Sequence, residues 1–233
     1  LDAEKFYDSM DVKGDRASLN AYMLNSAHLA DSLTLSGNEF YSLEQDSFIH
    51  KSDSIASVLI DDFHKFLDTA EGVPEKFVRL MKAKIHYRWF GWRANYPSQH
   101  KKYSGDTAKV TEDYYAFLNE LYLEIPDLII ISEEFRNALG DFLSIKSQEL
   151  LEKDSALKKE LEPAIAANIK LIPTLFKDEK VRNFLLYDNA SKYLRSIGTY
   201  KGENIFEVFK TQCTNSDYLS SLQREINRLG SLA

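Results

Sequence analysis

Apolar residues along this chain recur every three or four positions, the period of helices with one buried face. The opening residues are mixed. Phe6, Tyr7 and Met10 suit one short amphipathic turn, which Gly14 ends. Arg16–Leu33 is expected to be a helix, with Leu19, Met23, Leu24, Ala27, Ala30 and Leu33 near helical spacing. Ser36-Gly37-Asn38 is a turn cluster. Ser42, with Gln45 three places on, has the form of a capping box. The helix it opens runs to Thr69, with a stripe through Phe48, Ile55, Leu59, Phe63 and Phe66 and a weak patch at Lys51–Ser54 where it can bend. Gly72-Val73-Pro74 breaks the chain. Glu75–Asn95 follows as a helix apolar on most sides, which is the mark of a central element. Its expected stripe is Phe77, Leu80, Met81, Ile85, Trp89 and Trp92, and Pro97 is expected to end it.

Ser98–Thr111 is polar and is expected to be a long loop. A short helix is expected over Glu112–Leu121, then an extended or turn-rich buried connector over Glu124–Ile131. Ser132, with two glutamates behind it, opens a helix to Glu152. Leu157–Phe176 is helical but should break near Pro163 and Pro173. Asp178–Ile197, stopped by Gly198, and Asn204–Gln212 come next. Thr214, with Asp217 three places on, reads as the cap of a last helix to Leu229. The fold class is therefore all-α, an irregular multi-helix bundle of seven to eight helices with no repeat period. It is a single helical domain over 1–233, or two packed halves, 1–124 and 125–233.

Composition sharpens this in three ways. Nine glycines and five prolines in 233 residues are too few turn formers for many short strands. A net charge of −7 repels phosphate backbones, so no nucleic acid is expected as a partner. The longest apolar run, Leu128–Ile131, is far too short to cross a bilayer, so no transmembrane segment is expected.

Chemistry is sparse. Cys213 is the single cysteine, so neither a C-x-x-C pair nor a cysteine-based zinc site exists. It is expected as a small, partly buried residue near a helix end. The five histidines form no H-E-x-x-H pattern, and no phosphate loop or nucleophile elbow occurs. Neither a metal site nor a cofactor is expected. Asp61 and His64, three apart on a helix, are one candidate metal pair, and Asp61, His64 and Glu75 one candidate acid–base set. Amphipathic helices produce such spacings freely.

The densest feature is Ile85–Pro97, IHYRWFGWRANYP, with both tryptophans and two interleaved arginines. Trp, Tyr and Arg are the residues enriched at binding hot spots. The stretch is expected to be the buried spine of the first half, reaching the surface at its C-terminal end. The candidate binding residues are therefore Trp92, Arg93, Tyr96 and His100. The alternative is a stand-alone helical binding protein that holds a peptide or small ligand in a groove formed by Trp89, Trp92 and Tyr96.

Several patterns, in order, resemble a known family. The long helix over Phe48–Leu67 is followed by a Pro-led helix ending at Tyr96-Pro97, with His100 close behind. DYYAFL follows at Asp113–Leu118, then SEEFRNALGDFLSIK at Ser132–Lys146, in place of a Ser-x-x-(Tyr/Phe)-Arg helix opening. TNSDYLSSL at Thr214–Leu222 leads into INRLGSLA. From Tyr41 to Ala233 the chain resembles the helical region N-terminal to the thioredoxin-like domain in TlpA/ResA-type envelope proteins. The resemblance implies a fragment of a thiol-disulfide oxidoreductase-like protein of the cell envelope or periplasm, lipid-anchored upstream. A thioredoxin-like domain of the same polypeptide would follow residue 233 as its partner. The helical region would position that domain or recognise an envelope client protein. The redox C-x-x-C is absent, so the resemblance assigns catalysis to no residue of this chain.

Overall fold

A computed structural model describes Gly14 and residues 16–34, 37–121 and 127–230. The turn expected at Phe6–Met10 and the first part of the Glu124–Ile131 connector lie outside these. The described residues are all helix and connection, without strands, and none of the helices is long and apolar enough to cross a membrane. The chain divides into two compact units, Leu1–Asn119 and Glu120–Ala233.

In the first unit, α1 (Ala17–Leu33), α2 (Gly37–Tyr41), α3 (Gln45–Thr69) and α4 (Glu75–Ser104) precede a 3-10 helix, Glu112–Glu120. α3 buries Phe48, Ile55, Leu59 and Phe63, as its stripe predicts, and packs on α1 and α4. There is no bend at Lys51–Ser54. Ser52 is fully buried inside a continuous helix because its hydroxyl turns back to the Ile49 carbonyl, 2.8 Å away.

Two expectations about helix ends fail here. Ser42 does not cap α3. The residue preceding α3 is Glu44, with no side-chain cap, and Ser42 closes α2 through its backbone N–H to the Asn38 carbonyl. Gln45 instead clamps a distant loop. Its amide donates to Thr111 Oγ1 at 3.0 Å and accepts from Thr111 N–H at 2.8 Å.

Pro97 does not end α4, which continues to Ser104. A proline inside a helix leaves the carbonyl four residues back without its N–H donor. That carbonyl belongs to Arg93, and the buried Tyr114 hydroxyl donates to it at 2.7 Å. The helix survives because a side chain from the 3-10 helix replaces the missing donor. Gly105, in the left-handed region at φ 82°, then stops it. The long loop expected from Ser98 shrinks to Gly105–Thr111, pinned at its far end by Gln45.

In the second unit, the described end of the expected connector is not extended but a single helical turn, α5 (Leu128–Ile131); it buries Leu128 and Ile129 and leaves Ile130 80% exposed. α6 (Glu133–Lys153) starts where Ser132 Oγ accepts from Phe135 N–H, as expected. A short 3-10 turn, Leu157–Lys159, leads to α7 (Pro163–Leu175). Pro163 sits at the first turn of α7, where its missing N–H has no partner to lose, so it starts a helix and does not kink one. Pro173 lies inside. α8 (Glu179–Ile197) is capped by Asp178 and ended by Gly198, α9 (Glu203–Gln212) ends at Cys213, and α10 (Ser216–Gly230) closes the unit. α8 is central, packing on α7, α9 and α10 with Val181, Leu185, Leu186, Ala190 and Leu194 buried.

The cap of α10 is Asn215, which accepts from Asp217 and Tyr218 N–H, and not Thr214. Thr214 is held elsewhere. The buried Asn183 side chain takes its N–H and donates to its hydroxyl, both at 3.0 Å, and that hydroxyl donates to Glu179.

Candidate functional site

The aromatic helix carries all four predicted binding residues. Its buried face is Met81, Ile85, Tyr87, Phe90, Arg93, Tyr96 and His100, so the predicted stripe is rotated: both tryptophans lie half-buried at its edge. An indole N–H needs an acceptor, and Trp89 finds Asp53 Oδ1 on α3 at 2.7 Å. Arg93, 8% exposed, donates to the same oxygen at 2.6 Å and lies over the Trp89 ring. Trp92 packs edge-on against Phe40.

Tyr96 is 1% exposed, stacks on Phe48 at 4.2 Å and donates to the Leu43 carbonyl at 2.9 Å. Burial, then Glu44, pushes its phenol up to about 12. His100 is 5% exposed, and its Nδ1 lies 2.8 Å from the Tyr41 carbonyl. A carbonyl only accepts, so Nδ1 carries the proton. The four expected binding residues thus share one stretch of α4. Arg93, Tyr96 and His100, however, are engaged in joining α4 to α2, α3 and their connections. The spine does not surface at that point.

The remaining candidates are scattered. Asp61, His64 and Glu75 are exposed. Among the described residues, no three His, Cys, Asp or Glu side chains gather as metal ligands do. Cys213 is 4% exposed at the end of α9, and burial pushes its thiol up, away from the reactive thiolate. It is the small, buried helix-end residue that the sequence predicts.

Among the described residues, an open concavity lies in the second unit, where the sequence offers no motif. It is a cleft of about 350 Å³ between α7 and α9. α7 contributes Ala166, Ile169 and Pro173 at i, i+3 and i+7; α9 contributes Ile205 and Val208. Leu157, from the 3-10 turn, completes an aliphatic lining without a single aromatic ring. Exposed polar residues surround it: Asn204, Thr211 and Gln212 on α9, with Glu160, Lys170 and Lys201. Lys170 is already paired with Asp154, at 3.1 Å, and that contact holds the Asp154 carboxyl below its usual range.

One lip of the cleft is the α8–α9 loop. Lys201 adopts φ 51°, in the left-handed region. That conformation costs a residue other than glycine about 1–2 kcal/mol. Three features fix the loop around it. Gly198 turns at φ 77°, and the Tyr193 hydroxyl donates to the Tyr200 carbonyl at 2.7 Å. Gly202 lies so close to Phe206 and Tyr193 that an added Cβ would sit 2.5 Å and 2.9 Å from their rings. The signal in the sequence is weak but present: Asn204, Val208, Thr211 and Gln212 form a face of α9 opposite Phe206 and Phe209, apolar only at its centre.

Comparison of the chain with protein-family models, with curated proteins and with solved structures finds no match.

Proposed function

We propose that this chain works by holding a partner and carries out no chemistry of its own, and that the α7–α9 cleft is where it does so. The observation that carries this reading is the contrast between the two units. The conspicuous aromatic and arginine side chains of the first are taken up by internal bonds. The second keeps an open, aliphatic-lined cleft of about 350 Å³ with a strained, firmly held lip. That volume falls within the range of small-ligand sites, roughly 300–1,000 Å³.

The fuller reading follows from the sequence resemblance. The chain is a noncatalytic helical accessory region of a thioredoxin-like thiol-disulfide oxidoreductase of the cell envelope. It positions the redox domain or recognises its client. The buried, lone Cys213 fits a region that leaves disulfide exchange to another domain.

Each part has its own test. Neutral fragments (cyclohexanol, 1-butanol, N-methylacetamide) titrated into ¹⁵N-labelled chain should shift the amides of Ala166, Ile169, Ile205 and Val208 together. Shifts that gather around Trp89 and Trp92 would restore the aromatic-groove alternative and remove the cleft. The parent reading requires the coding sequence to continue into a C-x-x-C domain; a reading frame that stops at Ala233 refutes it.

A further inference from the structure

We infer that the outer flank of the first half of α4, at Lys76, Arg79 and Lys82, is a docking surface for a short acidic stretch of a partner polypeptide. This surface lies in the first unit and stands independently of the α7–α9 cleft.

The first observation is a segregation of charge. The chain as a whole is acidic, with 36 Asp and Glu against 29 Lys and Arg. After Glu75, however, α4 carries lysines and arginines along its length and not one aspartate or glutamate. A helix whose outer face serves only solubility mixes the two signs and gains ion pairs one turn apart. Other helices of this chain do so. Lys146 meets Glu149 at 2.9 Å on α6, and Lys192 meets Asp188 at 2.6 Å on α8.

The second is that three of these cations lack compensation. Arg93 turns inward to Asp53. Lys76, Arg79 and Lys82 are all exposed, and among the described residues none of them makes an ion pair, a hydrogen bond or a ring contact. Standing three apart, they are neighbours on one flank, within about 9 Å along the helix axis. Like charges at that spacing repel and weaken a helix. Lys76 also stands in the first turn, where the helix dipole favours anions. These placements work against α4 in the isolated chain, and a negative partner reverses the sign of each.

The third is the extent of the positive area, which selects the partner. Exposed Asp68, Glu71 and Glu75 stand at the α3–α4 connection, beside Lys76. A long phosphate strand or an anionic bilayer carries its charge past the flank and meets those carboxylates. Among the described residues, none of the exposed large apolar side chains lies on α4, so a bilayer also finds nothing there to take up. A short acidic run fits better: carboxylates at alternate positions of an extended chain stand about 6.6 Å apart, which places two within the flank.

The test titrates acetyl-Gly-Glu-Gly-Glu-Gly-Glu-Gly-amide and its glutamine counterpart into the full ¹⁵N-labelled chain at low salt. The acidic peptide should shift the amides of Lys76, Arg79 and Lys82, and the glutamine peptide should leave them in place. Arg79→Gln should weaken binding by about two- to fivefold, the weight of one exposed ion pair. The triple variant Lys76→Gln, Arg79→Gln, Lys82→Gln should lose binding and yet unfold at higher urea, followed by the tryptophans of α4, because the repulsion leaves with the charges.

Equal shifts from the two peptides overturn the inference, and so does a urea midpoint that stays or falls in the triple variant. Tighter binding of a thymidine tetranucleotide, which carries as many negative charges as the peptide, overturns the choice of partner and with it the inference. Loss of the same three amide signals on phosphatidylglycerol vesicles does likewise. A salt-sensitive dimer of the chain alone, absent in the triple variant, would make the acidic face the chain's own and also overturn it.

Discussion

Pro97 sits in the interior of α4, and the prediction it makes is quantitative. The Arg93 carbonyl has lost its helical donor, and Tyr114 Oη supplies one from 21 residues away at 2.7 Å, in a buried setting. Burial also raises the Tyr114 phenol well above its ordinary value, so it remains a donor at any ordinary pH. Tyr114→Phe keeps the ring contacts with Phe117 and Tyr96 but removes the hydroxyl. It leaves one carbonyl buried and unpaired, which costs about 1–3 kcal/mol. Pro97→Ala restores the backbone N–H to the same carbonyl. In that background Tyr114→Phe should cost less than about 1 kcal/mol, giving a coupling of about 1 kcal/mol or more in a double-mutant cycle. Both tryptophans lie on α4, so urea unfolding followed by tryptophan fluorescence reports on this unit without contribution from the other. If Tyr114→Phe costs the same with and without Pro97, the hydroxyl is not replacing the helical donor.

Gly202→Ala pushes a methyl against Phe206 and Tyr193. It should destabilise the second unit by about 1–3 kcal/mol, measured by thermal unfolding. Cys213 should react slowly with a thiol-specific disulfide reagent in the native chain and at once in urea, since burial keeps it a thiol. Tyr22, Tyr96 and Tyr114 all have phenols raised by burial, so their contribution to stability is complete below the ordinary tyrosine range and is lost as pH rises through the folded values. Absorbance at alkaline pH should show these three ionising only with unfolding.

The pattern of apolar residues carried most of the fold because helical period survives without knowledge of partners. Phe48, Ile55, Leu59 and Phe63 face inward as the stripe of α3 requires. The failures share one cause: a residue whose local meaning is overruled from a distance. Pro97 is a helix terminator unless a hydroxyl arrives from Tyr114, and nothing near Pro97 in the chain announces it. Gln45 has the look of half a capping box and is the clamp on Thr111, 66 residues on. Thr214 has the look of a cap and is held by Asn183, which leaves Asn215 to do the capping. The rotation of the α4 stripe has the same origin. Trp89 and Arg93 share Asp53 at its half-exposed carboxylate, so the indole is drawn to the edge and the guanidinium inward. Hydropathy alone would order them the other way.

Aromatic and arginine side chains are strong binders wherever they are desolvated, and a helix that must be fastened to its neighbours uses them as readily as an interface does. Their density in Ile85–Pro97 therefore measures how much α4 has to hold together. A recognition site declares itself by what is left unsatisfied. In the first unit, the Arg93 carbonyl orphaned by Pro97 is filled from within by Tyr114. In the second, an aliphatic cleft stays open between α7 and α9, and Lys201 holds a left-handed conformation at its lip.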